Sequence, residues 1–145
     1  MELCPSGPAR IRISAAIILD EGGRMLVVRK RYTAHFMQPG GKLETDETPL
    51  ETLARELKEE LGCILVDADF CGVFSANAAN EPGQIVEAAL YRVRIEGAVE
   101  LGAEIAELAW LDLHQPTDLR LAPLTRDHVI QVVLSSNHGR NQDCV

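Results

Sequence analysis

The pattern of apolar and polar positions predicts strands in the N-terminal part of the chain. Ile11–Leu19 is an apolar run rich in β-branched residues, and a polar, glycine-containing segment at residues 20–23 separates it from a second apolar run, Met25–Val28. Strand, tight turn and strand in this order predict a β-hairpin. A glycine–proline turn is predicted next, at Gln38–Lys42.

The segment Thr48–Leu61 carries the clearest helix pattern. Thr48 is a suitable N-cap, Pro49 fits the first helical position, and Glu51 completes a Thr-x-x-Glu capping box. Gly62 follows as a C-terminal cap. Apolar residues at three- and four-residue spacing predict the core-facing stripe: Leu50, Leu53, Ala54, Leu57 and Leu61.

The second half of the chain predicts further strands and one more helix. The strands are Ile64–Phe74, Gln84–Ile95 and the short Leu108–Leu111, with a loop at Ser75–Gly83. The helix is Leu124–Leu134, with a core-facing stripe at Val129, Val132 and Val133.

The order of these elements indicates the fold class. Strands, a helix, strands and a second helix favour an α+β or layered α/β/α architecture over a regular βαβ wind. We expect a single domain over residues 10–135, because 145 residues fit one domain and no repeat or linker interrupts them. Residues 1–9 and 136–145 are predicted to be flexible termini.

Composition and charge argue against several classes of protein. The 14 Lys and Arg residues against 22 Asp and Glu residues give a net charge of −8, whereas nucleic-acid binding requires a basic face. No segment reaches the roughly 20 apolar residues of a membrane helix, and no signal-peptide pattern begins the chain. The cysteines Cys4, Cys63, Cys71 and Cys144 have no metal-ligand spacing, so we expect reduced thiols and a cytoplasmic protein.

Three glutamates gather on one face of the first predicted helix. Glu56, Glu59 and Glu60 are related by i,i+3 and i,i+4 spacing, so their carboxylates can converge. They lie near the helix C-terminus, where the macrodipole also disfavours anions. Arg55 relieves part of this repulsion, and a hard divalent cation such as Mg²⁺ is the natural further partner. A solvated acidic face is the alternative interpretation of the helix taken alone.

The residues around this helix follow a longer spacing pattern. Five residues separate Gly41 from Glu47, and seven more separate Glu47 from the segment Arg55-Glu56-Leu57-x-Glu59-Glu60-x-Gly62-Cys63. This arrangement resembles the Nudix box, G-x5-E-x7-R-E-U-x-E-E-x-G-U, where U is a bulky aliphatic residue. All seven fixed letters are present, and Cys63 departs from the pattern only at the last aliphatic position.

The resemblance implies an α/β/α sandwich with a mixed central sheet, and hydrolysis of a nucleoside diphosphate linked to another group with Mg²⁺ or Mn²⁺. Carried over to this chain, it implies that Glu59, Glu60 and the Gly40 carbonyl bind metal. Glu56 is then a further ligand or the base that orients the attacking water, and Arg55 orients a glutamate. The remaining motif positions are expected to be structural: Gly41, Glu47 and Gly62.

Basic, acidic and aromatic residues outside the motif have two interpretations each. The run Arg29-Lys30-Arg31 and Lys42 either bind phosphate or form a basic strand end. Family members often use another acid, for which the candidates are Glu87, Glu104 and Glu107, each otherwise a surface residue. Four aromatic residues either stack on a base or belong to the core: Phe36, Phe74, Tyr91 and Trp110.

Subfamily marks downstream of the motif bear on the substrate. ADP-ribose hydrolases tend to carry a proline where this chain has Ala78 and Ala79, and the tyrosine of dinucleoside polyphosphate hydrolases is missing. We therefore expect a nucleoside triphosphate, normal or oxidised, as the substrate. The alternatives are a hydrolase of ADP-ribose, a nucleotide sugar or a dinucleotide, a non-catalytic nucleotide-sensing module, and an isopentenyl diphosphate isomerase. A homodimer is expected by analogy with the family.

Overall fold

The computed structural model describes residues 9–135. Apart from residue 9, the predicted flexible termini lie outside the described residues, as do Cys4 and Cys144. The elements are, in chain order, β1 (Arg10–Ile17), β2 (Met25–Lys30), β3 (Phe36–Met37), β4 (Gly40–Lys42), α1 (Pro49–Leu61), β5 (Ile64–Asn77), β6 (Ile85–Glu96) and β7 (Ile105–Leu111). A second helix, α2, covers residues 123–135.

Side chains of β1 and β2 alternate between two buried clusters on opposite sides of the strands. The first cluster joins alternate strand residues to α2: Ala15, Ile17, Met25 and Val27 with Leu124, Val129 and Val133. The second cluster joins the intervening residues to α1: Ala16, Ile18, Leu26 and Val28 with Leu53, Leu57 and Leu61. A layer of strands between two helices is an α/β/α sandwich, so the predicted fold class is confirmed.

Two sheets make up the central layer. The mixed sheet has the strand order β4-β1-β6-β5, with β1 and β6 parallel, and an antiparallel sheet has the order β3-β2-β7. The predicted hairpin between β1 and β2 is confined to its turn, where Leu19 and Met25 form an isolated bridge. The two strands separate beyond this point because β4 and β6 pair with the two edges of β1.

Strands extend into two segments predicted as loops. Within the turn Gln38–Lys42, β4 pairs with β1, and Gly40 lies opposite Ala15. Strand β5 continues to Asn77, because its pairing with β6 persists as far as Ile85.

Helix α1 begins and ends as predicted. The Thr48 hydroxyl accepts a hydrogen bond from the Glu51 N–H, and the Glu51 carboxylate accepts one from the Thr48 N–H. Pro49 occupies the first turn. Gly62 ends the helix with a φ of 68°, a conformation that glycine adopts without strain.

The buried stripe of α1 is rotated from its predicted position. Its fully buried members are Leu53, Leu57 and Leu61. The prediction was wrong for Leu50, which is 43% exposed, and for Ala54, which is also exposed. Thr52 is buried instead, because its hydroxyl donates to Oε1 of Glu47 at 2.8 Å and this side of the helix packs against the preceding loop.

Helix α2 contains a π-helical segment, Thr125–Val129, that the sequence did not predict. Such segments often occur at functional sites. Val133 is buried and Val132 packs against the first cluster, as predicted. Of the helices within residues 9–135, none is long and apolar enough to cross a membrane.

Leu57 and Leu50 provide a test of the rotated core face. Leu57→Ala removes a fully buried side chain, and we expect it to lower the free energy of unfolding by about 2–5 kcal/mol. Leu50→Ala removes a largely exposed one and should change that free energy by less than about 1 kcal/mol. Urea denaturation followed by circular dichroism measures both values, and equal losses in the two variants would contradict this packing.

Candidate active site

The three glutamates of the predicted acidic face of α1 differ in exposure. The side chain of Glu60 is 5% exposed, that of Glu56 is 16% exposed, and that of Glu59 is 60% exposed. All three lie in the C-terminal half of the helix. The acidic face therefore runs from solvent into the protein interior, where the carboxylate of Glu60 is shielded from water.

One backbone amide and one ammonium contact the buried carboxylate of Glu60. Its Oε1 accepts a hydrogen bond from the Gly40 N–H at 3.1 Å, and its Oε2 lies 3.6 Å from Nζ of Lys30. Burial raises the pKa of Glu60 to about 7, while the charge of Lys30 and the Gly40 N–H oppose this shift. A carboxylate in such surroundings needs a cationic neighbour to stay ionised.

The guanidinium of Arg55 lies at the centre of the acidic cluster. Its Nε and Nη2 donate to the two carboxylate oxygens of Glu47 at 2.8 and 2.9 Å. Its Nη1 donates to Oε2 of Glu56 at 2.9 Å and lies 3.5 Å from Oε1 of Glu59. Burial raises the pKa of Glu56, and the hydrogen bond from Arg55 opposes this shift. Arg55 therefore compensates the charge on the outer side of the cluster, and Lys30 does so on the buried side.

Glu47 connects the loop before α1 to the helix. Besides the two bonds from Arg55, it accepts a hydrogen bond from the Thr52 hydroxyl at 2.8 Å and one from the Glu44 N–H at 3.1 Å. These bonds, that from Arg55 above all, lower the pKa of Glu47 to about 2. Glu47 is therefore ionised at neutral pH and fixes the orientation of Arg55.

Gly40 and Gly41 leave space for the groups around them. A Cβ atom at Gly40, where φ is 144°, would overlap the carbonyl oxygen of Ser14 in the neighbouring strand. A Cβ atom at Gly41 would lie 2.5 Å from the carboxylate carbon of Glu56. Any larger residue would therefore push β4 away from β1 or displace the Glu56 side chain.

Backbone amides of the segment after β6 cap the end of α1. The Gly102 N–H donates to the carbonyl oxygen of Glu60 at 2.8 Å, and the Glu100 N–H donates to that of Leu61 at 2.9 Å. A Cβ atom at Gly102 would overlap the carbonyl oxygen of Glu59. Gly102 is not predicted from the sequence, because no spacing rule connects it to the motif.

Arg29 and Arg31, two predicted phosphate ligands, bind other protein groups. Nε of Arg29 donates to Oε1 of Glu107 at 2.8 Å, and Nε of Arg31 donates to the carbonyl oxygen of Ala103 at 2.7 Å. Neither arginine is among the described residues that line the cavity beside the acidic cluster. Lys30, between them, is the member of this basic run that reaches Glu60.

This cavity has a volume of about 250 Å³. Four residues line it on the side of the acidic cluster: Lys30, Gly40, Gly41 and Lys42. The rest of its wall is mainly apolar, and includes Ile11, Ile13, Met37, Val86 and Leu124. Uncharged polar residues, among them Gln38, Asn77, Asn80 and Thr125, and the acidic residue Glu81 also line it. A largely uncharged cavity therefore lies directly beside a cluster of carboxylates.

Gln38 joins this cavity wall to β1 and α2. Its Nε2 donates to the carbonyl oxygen of Ala16 at 2.8 Å, and its Oε1 accepts a hydrogen bond from the Thr125 hydroxyl at 3.1 Å. Gln38 precedes Gly40 by two residues, so these bonds also fix the turn that presents the Gly40 N–H to Glu60. From the sequence alone, Gln38 is predicted only as part of a turn.

Comparison with known families agrees with this geometry. The model of the NUDIX domain matches residues 9–132. The chain belongs to the Nudix family. It is a Nudix hydrolase, as the names of its relatives also indicate.

Relatives and solved structures resemble the chain over most of its length. An 8-oxo-dGTP diphosphatase of Haemophilus influenzae is 29% identical over an alignment of 133 residues, which covers 89% of this chain and 95% of that protein. An ADP-ribose pyrophosphatase of Methanocaldococcus jannaschii is 27% identical over an alignment of 114 residues, which covers 77% of this chain and 64% of that protein. The crystal structure of a MutT protein from Methanosarcina mazei Go1 has a TM-score of 0.76 at 24% identity, with 92% of this chain and 99% of that chain covered, and shows the shared fold.

The acids considered outside the Nudix box lie at different places. Glu87 is in β6, opposite Arg12 of β1. Glu107 binds Arg29, and Glu104 is exposed near the start of β7. None of these three acids is among the described residues that line the cavity.

The aromatic residues pack mainly with other protein groups. Phe36 is buried in the first cluster, and Trp110 packs against the second. Phe74 and Tyr91 each pair with another ring, at centroid distances of 5.7 and 5.4 Å. The described residues that line the cavity include none of these four rings.

The donor chemistry of the Nudix box fits a hard divalent cation. Its carboxylates supply the oxygen ligands that Mg²⁺ prefers, and the buried charge of Glu60 needs a positive partner. Within residues 9–135, no three acidic, histidine or cysteine side chains are already gathered as a metal-binding group. The carboxylates contact Arg55 and Lys30 instead. Metal binding would therefore require them to exchange a protein cation for the ion.

The low pKa of Glu47 predicts how one variant depends on pH. A carboxylate with a lowered pKa stabilises the fold above the pKa of about 4.5 that it has when unfolded, and this contribution disappears as the pH falls toward about 2. Glu47→Gln cannot ionise and should lower the urea midpoint at pH 7. We expect the difference from the unchanged chain to shrink steadily between pH 5 and pH 3, within the window from about 4.5 to about 2.

Glu44→Gln is the matched control for this experiment. Glu44 lies in the same loop, but it is 67% exposed and its carboxylate is 3.8 Å from Arg55. Its substitution should lower the urea midpoint at pH 7 by less than Glu47→Gln does. A loss in Glu47→Gln that stays constant with pH would contradict the ionic role of Glu47.

Proposed function

We propose that this Nudix hydrolase uses Mg²⁺ to hydrolyse a pyrophosphate bond in a nucleoside triphosphate, normal or oxidised. The observation that carries the proposal is the cavity beside the Nudix box. Its apolar and amide-bearing wall suits a nucleobase, whereas Lys30 and Lys42, on the side of the carboxylates, suit a chain of phosphates. A nucleotide lying across this junction would present its pyrophosphate to Glu56, Glu59 and Glu60.

The relatives support this substrate class. The 8-oxo-dGTP diphosphatase of Haemophilus influenzae is matched over nearly its whole length, and the ADP-ribose pyrophosphatase over less than two thirds of its length. ADP-ribose is therefore the second candidate. Ala78 and Ala79 stand where ADP-ribose hydrolases tend to carry a proline, and this favours the triphosphate.

Each residue of the box has a distinct task in this proposal. Glu59, Glu60 and the Gly40 carbonyl hold Mg²⁺, and Glu56 is a further ligand or orients the attacking water. Arg55 fixes the carboxylate of Glu56 through its 2.9 Å hydrogen bond. When bound, Mg²⁺ supplies charge neutralisation of the phosphates and a more acidic water. Water adds across one P–O–P bond, so that two phosphate-bearing products leave.

A substrate panel with a charge-removing variant tests the reaction. We expect the chain with Mg²⁺ to cleave one class among nucleoside triphosphates (8-oxo-dGTP included), ADP-ribose, nucleotide sugars and dinucleotides, with products identified by mass. Glu60→Gln preserves the size of the side chain but removes its charge, and it should lower turnover by more than about 100-fold while folding is retained. Glu21→Gln, in the exposed turn after β1, should retain full turnover.

The outcomes of this panel are distinct. Turnover of ADP-ribose alone would contradict the triphosphate as substrate and would support ADP-ribose, the second candidate. Nearly unchanged turnover in Glu60→Gln would contradict its assignment as a metal ligand. Binding of a nucleotide without cleavage would indicate a nucleotide-sensing module.

Removal of divalent ions tests the cofactor. We expect excess EDTA to abolish turnover, because three carboxylates would otherwise repel an anionic substrate. Added Mg²⁺ or Mn²⁺ should restore it. Circular dichroism in EDTA shows whether the fold persists, and turnover that continues in excess chelator would exclude a metal-dependent reaction.

A further inference from the structure

Lys30 lies between the buried carboxylate of Glu60 and the cavity. It is the last residue of β2, its Nζ lies 3.6 Å from Oε2 of Glu60, and it is one of the residues that line the cavity. Arg29 and Arg31 donate to acceptors elsewhere. The ammonium of Lys30 therefore has two regions within reach, the acidic cluster and the cavity wall.

Of the two cations at the cluster, Lys30 is held less tightly. Its distance of 3.6 Å from Glu60 exceeds the roughly 2.7–2.9 Å of a charge-assisted hydrogen bond, and its side chain is 33% exposed. An ammonium on a flexible four-carbon stem can move without breaking a rigid geometry. Arg55, in contrast, makes two hydrogen bonds to Glu47 and one to Glu56, all at 2.9 Å or less.

Glu60 requires a cation in the metal-free protein. Its carboxylate is almost fully buried, and an unpaired charge in such a place is strongly unfavourable. The charge of Lys30 favours the ionised forms of both Glu60 and Glu56. Lys30 therefore occupies the electrostatic position that a divalent ion would take over.

We propose that Lys30 is an exchangeable counter-ion, which neutralises Glu60 in the metal-free protein and is displaced toward the cavity when a divalent ion binds the Nudix carboxylates. This inference rests on the metal dependence proposed above. Lys30 then stabilises the metal-free fold and competes with the ion. Because the displaced ammonium remains at the cavity wall, metal binding also makes its positive charge available there to an anionic ligand.

Metal binding without nucleotide tests this role. The probe is Mn²⁺ alone, with the free ion measured by electron paramagnetic resonance at pH 8. Lys30→Met keeps the apolar stem and removes the charge, so we expect Mn²⁺ to bind about fivefold or more tightly than to the unchanged chain. The thermal unfolding midpoint of the metal-free variant should fall, and saturating Mn²⁺ should reduce that deficit.

Lys42→Met is the matched control. Lys42 lines the same cavity, but its ammonium lies 3.0 Å from Oε2 of Glu81 and its side chain is 65% exposed. Its removal should leave the affinity for Mn²⁺ within about twofold of the unchanged chain, because an exposed ion pair contributes little.

A double variant keeps the test decisive if Lys30→Met folds poorly. Glu60→Gln removes the nearer of the two carboxylate charges that Lys30 stabilises, so adding Lys30→Met to it should lower the unfolding midpoint much less than Lys30→Met lowers it in the unchanged chain. A loss of stability that is the same in both backgrounds would show that Lys30 acts through its packing, and would overturn the counter-ion role.

The failure of this inference can be told apart from failure of the proposed function. If Lys30→Met and the unchanged chain bind Mn²⁺ with equal affinity and the unchanged chain hydrolyses its substrate, the counter-ion role alone is overturned. If Lys30→Met binds Mn²⁺ more tightly but the unchanged chain cleaves no compound in the panel, the proposed reaction is overturned and the counter-ion role is supported. No Mn²⁺ binding by the unchanged chain would overturn both.

Discussion

Repulsion among like charges at one end of α1 is the constraint on which the rest of the site depends. The three glutamates of the Nudix box lie near a helix C-terminus, where the backbone carbonyls add partial negative charge. Arg55 compensates them from the helix itself and Lys30 from β2. Glu47 in turn fixes Arg55, and the Gly40 N–H binds Glu60. The charged side chains of the cluster are thus held in place by the groups that compensate their charge.

The architecture brings this charged cluster next to a mainly apolar cavity because β4 is an edge strand. One face of the central layer packs on α1, and the other packs on α2. Gly40 and Gly41 lie at the border of the four-stranded sheet, where the cluster and the cavity meet. Bulky residues there would separate the two regions. A ligand could then contact either the carboxylates or the cavity wall, but not both at once.

The parts of the fold that depend on local sequence could be predicted. The capping box at Thr48 and the end of α1 at Gly62 follow from residues within one turn of each boundary. The spacing of the box likewise places its carboxylates on one helix face. Periodicity alone could not place Leu50 and Ala54, because it gives the spacing of a stripe but not its rotation against the rest of the protein.

Other features depend on contacts between distant segments. Which of the residues Arg29, Lys30 and Arg31 lies near Glu60 depends on the pairing of β2 with β7, whose register shifts between Arg29 and Lys30. The hydrogen bond between Gln38 and Thr125 joins residues 87 positions apart. Neither feature leaves a signal in the neighbouring sequence, so the cation beside Glu60 and the wall of the cavity emerged only from the three-dimensional structure.

The cap on the last turn of α1 determines when the site becomes ordered. Helix ends usually fray, because their final carbonyls lack partners, and Glu59 and Glu60 belong to such an end. Here the Gly102 and Glu100 amides bind the carbonyls of Glu60 and Leu61. The conformational entropy of this turn is therefore lost during folding and not during ligand capture. An arriving ion has only side-chain rotamers left to select, so the free energy of its binding is not consumed in ordering the backbone.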